Sequence, residues 1–263
     1  RDLGGIVRAH AVRNDLDVSG CIDTDDQTTL AFASLDDDGR ASYDFYVDGT
    51  ADWGWTPAEL ATLPADTQVF HTGSLATTLS PGADIVLDRM ERLHAAGGVL
   101  LSYDPNVRPA LAGPREEAVR RVERFVAAAH VVKASDEDLA WLYPDTDPVD
   151  VVRRWSVQGP RLVVTTRGPQ GCLAVNRSGV TVTRASARVE VVDTIGAGDS
   201  FESGLLSGLV DTGATAPERV DALSEADIGG VLDRAVLTSA MTCQRAGADP
   251  PTRAEYDARR SAG

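Results

Sequence analysis

Val191-Val-Asp193-Thr-Ile-Gly196-Ala197-Gly198-Asp199-Ser-Phe201 is the stretch whose reading decides the fold. A β-favouring run, Val189 to Val192, leads into Gly-Ala-Gly, and an apolar helical spacing then begins at Phe201, Leu205, Leu206 and Leu209. The glycines permit a tight turn and let a ligand approach the backbone closely. The helix that starts there offers unpaired N–H groups and the positive end of its dipole, which together attract an anion. Asp199 stands at the mouth of that site. A carboxylate repels a phosphate that only has to be held. It suits the deprotonation of a hydroxyl that attacks a phosphoryl group, while backbone amides take up the developing charge. The same spacing also describes a first-turn acid on a plain strand-to-helix turn. Two other glycine loops are excluded. A Walker A loop needs Gly-Lys-Ser/Thr and no lysine is near, and G-x-G-x-x-G needs glycine where Phe201 stands.

The rest of the chain bounds the reading. Its 263 residues, 43% of them apolar, suffice for a sizeable core in one large unit. A net charge of −15 argues against nucleic acid or an anionic membrane as partner, though not against ATP. No apolar run of about 18 residues and no secretory pattern is present, so the expected location is the cytoplasm. Cys21, Cys172 and Cys243 are far apart and odd in number, and read as buried small residues without disulfide or zinc spacing. His10, His71, His94 and His130 are equally scattered. Of 25 basic residues only Lys133 is a lysine, which gives its position weight.

Residues 2 to 18 read as a helix ending near Asn14. Runs at 28–35 and 42–47 flank Asp36-Asp-Asp-Gly-Arg40, a good hairpin signal. From Thr67 the rhythm becomes strand then helix, which points to a mostly parallel sheet with helices on both faces. Strands are expected at 68–71, 99–103, 130–134 and 161–166. The helix after Ser80-Pro-Gly takes Ser80 as N-cap and Pro81 as its first residue, with Ile85, Val86, Met90 and Leu93 inward. A further helix spans 116–129, and another runs from about 227 to 244. Ligands of open α/β sheets bind at the carboxyl ends of the strands, which places Gly73, Asp104, Asn106 and Arg108 at a site. A turn punctuated by proline and capped by Asn and Asp explains the same residues structurally. Ser135-Asp-Glu-Asp138 approximates a capping box.

Asp193-Thr-Ile-Gly-Ala-Gly-Asp-Ser-Phe201 resembles the C-terminal signature of the ribokinase-like (PfkB) family of carbohydrate kinases. His71-Thr-Gly-Ser-Leu-Ala76 and Asp104-Pro-Asn-x-Arg-Pro109 resemble its fructokinase-like branch. Thr166-x-Gly168-x-x-Gly171 is similar to the family's nucleotide-phosphate loop, and Gly247-Ala followed by Pro250-Pro251 to the segment beside the adenine and a monovalent-cation site. The resemblance implies a three-layer α/β/α sandwich with a small β lid formed by about residues 20–50, in a single domain over 1–263. An ordinary edge hairpin is the alternative for the lid. It also implies transfer of the γ-phosphoryl of Mg-ATP to a primary hydroxyl of a sugar, with fructose first and 2-keto-3-deoxygluconate or ribose as alternatives. A sugar- or nucleotide-binding protein without turnover is the reading outside catalysis.

On the same resemblance Asp199 is the base and also touches the sugar, and the amides of Gly196, Ala197, Gly198 and Asp199 form the anion hole. Lys133, Ser135, Thr166, Gly168, Gly171 and Gly247 lie along ATP, with Lys133 and Arg108 balancing phosphate charge. Gly73, Asp104, Asn106 and Arg108 hold the sugar. Ser135 and Asp138 stand where the family has Asn-x-x-Glu, so Asp138 reaches Mg2+ through water while also capping its helix. Asp193 matches a potassium ligand, or it hydrogen-bonds within its own turn. A homodimer through the lid is implied as well. The family's opening strand with its sugar-binding aspartate, and the Gly-Gly-x-x-x-Asn segment after it, have no counterpart, because Ala9 stands where the asparagine would follow. The expectation is a longer natural product with a further N-terminal strand–helix block. The 263 residues alone are expected to bind sugar poorly and to associate.

Overall fold

In the computed structural model the described residues are 2–35 and 41–262. In chain order these form α1 (Asp2–Arg13), β1 (Leu30–Leu35), β2 (Ala41–Tyr46), β3 (Val69–Gly73), α2 (Gly82–Ala96), β4 (Leu100–Asp104), α3 (Arg115–Ala128), β5 (Val131–Ser135) and α4 (Asp136–Leu142). Then come α5 (Pro148–Ser156), β6 (Leu162–Thr166), β7 (Cys172–Asn176), β8 (Thr181–Arg184), α6 (Ala197–Asp211), α7 (Pro217–Asp221), α8 (Glu225–Cys243) and α9 (Arg253–Ala262). Among the described residues the strands make a two-stranded sheet, β1-β2, and a six-stranded sheet in the order β3-β4-β5-β6-β7-β8. The first four strands of the large sheet run parallel and the last two antiparallel.

Strand alternation sorts the core onto two faces. Leu101, Tyr103, Val132, Ala134 and Val163 pack against α2 to α5, in a layer with Phe125 and Trp155. Leu100, Val131, Leu162, Val164 and Ala174 face α6 to α8, where Phe201, Leu205, Leu209 and Leu232 close the other layer. The chain is therefore a three-layer α/β/α sandwich. The same alternation turns His71, Ser102 and Lys133 toward α6, and this decides what lies beneath its first turn.

The hairpin expected around residue 38 is present as antiparallel β1-β2, with Leu30 opposite Tyr46; its turn, 36–40, lies outside the described residues. Several local expectations are corrected. Val189–Val192 is not a strand, because the amides of Val192 and Asp193 donate to the Cys243 carbonyl at the end of α8 instead of joining a ladder. Pro81, not Ser80, occupies the N-cap of α2, and the Ser80 hydroxyl donates to Asp84 Oδ2 (2.7 Å). Leu87 is buried on α2 where Ile85 is only half-buried. Cys21 is exposed, Cys172 is buried, and Cys243 lies between. Among the described residues no helix is long and apolar enough to cross a membrane.

Candidate active site

Gly196 is the residue that lets α6 begin where it does. Its φ of +75° lies in the left-handed region, and a Cβ there would come within 2.8 Å of the Ala248 Cβ. The Thr194 carbonyl accepts the Ala197 amide at 3.2 Å, so that amide closes the turn and is not free for a ligand. Of the four amides expected to form an anion hole, that of Ala197 is thus engaged within the turn. Gly198 and Asp199 follow in the first turn, both exposed. The Asp193 carboxylate anchors the loop by accepting from Ile195 N (3.0 Å) and Gly247 N (2.8 Å). These amides hold the Asp193 carboxyl below its usual range.

Asp199 lines a cavity of about 470 Å3 together with Gly73, Asp104, Asn106 and His71, and with Trp55, Leu60 and Phe70 on its apolar side. Three of the residues expected to touch the sugar, Gly73, Asp104 and Asn106, thus share one cavity wall with the expected base. Gly73 is glycine because a Cβ would overlap the Asp104 carbonyl oxygen. Asn106 takes a φ of +37° and its amide donates to Asp104 Oδ1 (3.1 Å). That bend turns Arg108 inward on its own loop. Its Nη1 donates to Asn106 Oδ1 (2.7 Å), to the Asn106 carbonyl (3.1 Å) and to the Val107 carbonyl (3.2 Å). Arg108 is therefore not part of the cavity lining, and its guanidinium props the loop that carries Asn106.

Lys133 is placed differently from expectation. It is 3% exposed, and its Nζ donates to Asp104 Oδ2 at 2.6 Å. The ammonium lies directly beneath the first turn of α6, since a Cβ on Gly198 would be 3.3 Å from Nζ. Burial disfavours its charge, but Asp104 and Glu202 outweigh this and raise its pKa. Burial pushes the Asp104 carboxyl up to about 6, with Lys133 opposing and the Glu202 charge adding to the rise.

Ser135 and Asp138 form a full capping box. The serine hydroxyl accepts from Asp138 N (3.0 Å), and Asp138 Oδ2 accepts from Ser135 N (3.0 Å) and Oγ (2.7 Å). Asp138 Oδ1 accepts the Val107 amide at 2.8 Å, which ties the Asp104–Arg108 loop to α4. Both oxygens of Asp138 are engaged within the chain. Among the described residues no group of three or more His, Cys, Asp or Glu side chains is assembled to hold a metal ion. Thr166 pairs in register with Ser135, and the turn after it carries Gly168 (φ +48°) and Gly171 (φ +85°). A Cβ on Gly171 would overlap the Arg184 carbonyl.

Two polar residues escaped the sequence reading. Glu202, 4% exposed, follows Asp199 by one turn of α6, and Ser102 lies under it on β4. Ser102 Oγ donates to Glu202 Oε1 at 2.6 Å, and His71 Nδ1 lies 3.1 Å from Ser102 Oγ. A glutamate beside the apolar run Phe201, Leu205 and Leu209 was the available signal.

A parallel α/β/α sandwich with a glycine-started helix presenting an acid to a cavity at the strand ends is the arrangement of a ribokinase-like phosphotransferase. The chain belongs to the pfkB family of carbohydrate kinases, whose model matches residues 1–255. It is 34% identical over 223 residues to a fructokinase of Rhizobium leguminosarum bv. trifolii, covering 85% of this chain and 67% of that one. It is 35% identical over 262 residues to probable fructokinase-4 of Arabidopsis thaliana, covering 96% and 76%. The fold matches a fructokinase double mutant of Vibrio cholerae O395 in its fructose-, ADP- and potassium-bound form. That likeness has a TM-score of 0.82 at 24% identity and covers 97% of this chain and 80% of that one.

Proposed function

We propose that the chain is an ATP-dependent sugar kinase acting on a primary hydroxyl, with fructose as the first substrate to test. The observation that carries this reading is Asp199 on the first turn of α6, facing one cavity with Asp104, Asn106 and Gly73. Asp199 takes the proton of the attacking hydroxyl, and the amides at Gly198 and Asp199 stabilise negative charge on the group being transferred. Lys133, paired with Asp104 beneath them, adds a buried positive charge at short range. Asp104, Asn106 and Gly73 hold the sugar. Thr166, Gly168, Gly171 and Gly247 line the nucleotide, with Ser135 at the neighbouring strand end.

A hard divalent cation such as Mg2+ commonly keeps several waters and takes phosphates with one or two carboxylates. Asp138 would meet the ion through water on lone pairs its capping bonds leave. Bound there, the ion neutralises phosphate charge. Asp193, held ionised beside Gly247, suits a monovalent cation such as K+. The hairpin β1-β2 forms the lid of a single kinase domain, and its exposed Phe32 and Tyr46, in edge contact at 5.6 Å, offer a surface for pairing two chains.

Fructose, ribose and 2-keto-3-deoxygluconate are each supplied with Mg-ATP, and ADP release is measured. Sugar-dependent release highest with fructose is the expected result. ATP binding without release on any sugar would move the assignment to a binding protein.

A further inference from the structure

Glu202 and Ser102 have no part in the chemistry above, yet together they decide how His71 meets the cavity. His71 on β3 is the register partner of Ser102 on β4, so both side chains point toward α6. Glu202 reaches the same point from above. Ser102 Oγ donates its proton to Glu202 Oε1 (2.6 Å), and His71 Nδ1 lies 3.1 Å from that hydroxyl oxygen and 3.4 Å from Glu202 Oε1. On its Nδ1 side the ring therefore faces two oxygen acceptors. A bare nitrogen there would set lone pair against lone pair, so the proton sits on Nδ1.

The groups facing the ring are Asp104 from β4, Lys133 from β5, and Asp199 and Glu202 from α6. Burial disfavours the imidazolium, Lys133 acts in the same direction, and Asp104 and Asp199 oppose. The balance lowers the His71 pKa and so favours the neutral ring, which leaves Nε2 as a lone-pair acceptor. His71 keeps 38% of its side chain exposed and lines the cavity beside Asp104, Asn106 and Asp199. A buried carboxylate is costly where an apolar side chain would pack, and Glu202 Oε2 has no hydrogen-bond partner among the described residues. Fixing a tautomer gives that carboxylate a purpose.

We propose that His71 is a specificity-determining residue, accepting a hydrogen bond at Nε2 from one sugar hydroxyl, and that Glu202 acting through Ser102 is the positioning residue that fixes its tautomer. The proposal rests on the sugar-kinase reading and adds which side chain selects the hydroxyl pattern.

The test uses the full chain, Mg-ATP, the sugar it phosphorylates, and the monodeoxy analogues of that sugar. In the wild type one deoxy position lowers kcat/KM about tenfold, mainly through KM, the scale of one lost hydrogen bond. In His71→Phe the same deletion has no further effect, and His71→Gln, which keeps an acceptor and serves if the phenylalanine variant does not fold, restores part of the discrimination. Nitrogen-15 NMR of the four histidines shows His71 protonated at Nδ1 in the wild type, and Glu202→Gln admits the other tautomer and weakens the discrimination. Wild type and His71→Phe responding alike to every analogue overturns the proposal, as does an Nε2–H tautomer in the wild type. A wild type that phosphorylates no sugar overturns the kinase reading and the role of His71 in selecting sugars. The NMR spectrum then still reports whether the relay itself exists.

Discussion

Replacing Lys133 by methionine keeps most of the buried stem and removes the ammonium that faces Asp104 and Glu202. Both carboxylates lie within a few per cent of full burial, so water compensates the loss only weakly. Removing one partner of a buried ion pair costs about 3–5 kcal/mol, because the remaining charge is left unmet. Against a typical total of about 5–15 kcal/mol, the variant still folds but melts measurably earlier.

The loss depends on pH in a definite direction. The Asp104 carboxyl is raised from 3.8 to about 6 on folding. Between those values the folded state binds more protons than the unfolded one, and stability falls as pH rises. Without Lys133 the attraction that restrains this rise is gone, and the window extends upward. Urea melts followed by circular dichroism at about pH 5.5 and about pH 8 should show a deficit of about 3–5 kcal/mol at the higher pH and a clearly smaller one at the lower. Adding Asp104→Asn to Lys133→Met should recover part of the deficit at high pH, since one unpaired charge is then removed. A variant as stable as wild type at the higher pH, or a deficit equal at both, refutes the account of Lys133 as the counter-ion of a buried acid.

Asp199→Asn should retain ATP affinity and the folded spectrum while turnover falls by about 10²–10⁴; near wild-type rates with any sugar would rule the residue out as base. Gly196→Ala meets both a positive φ and the Ala248 side chain, so a loss of at least about 1–2 kcal/mol in thermal unfolding is expected, with lower kcat. For Arg108→Ala the guanidinium is lost from three acceptors in its own loop. A raised sugar KM in a folded protein is the expected outcome, and unchanged KM would leave the loop independent of it. Asp193→Ala frees the amides of Ile195 and Gly247 and should abolish any potassium activation, read as ADP release with K+ exchanged for a bulky organic cation.

Much of the site was legible because it depends on local grammar. Gly-Ala-Gly-Asp before an apolar 3.6-residue spacing requires a turn, a helix start and an acid at its mouth whatever surrounds them. Ser135 and Asp138 are three residues apart, so their capping box follows from spacing alone, and the β-α rhythm puts Gly73, Asp104 and Asn106 at strand ends. Lys133 stood out in the sequence, but its partner did not, because Asp104 is remote in the chain and becomes its neighbour only when β4 and β5 pair. Arg108 pointed to a ligand by residue type, and the positive φ of Asn106 turned it to its own carbonyls instead. Val189–Val192 has the composition of a strand, yet its backbone amides found the end of α8 before any sheet edge.

Sequence alone determined the order of elements, the base candidate and the family, since each rests on residues adjacent in the chain. Tertiary structure alone decided the buried charge cluster under α6 and the relay from Glu202 through Ser102 to His71. Those contacts join residues on separate strands and a distant helix, and strand register, which no local pattern encodes, brings them within hydrogen-bond reach.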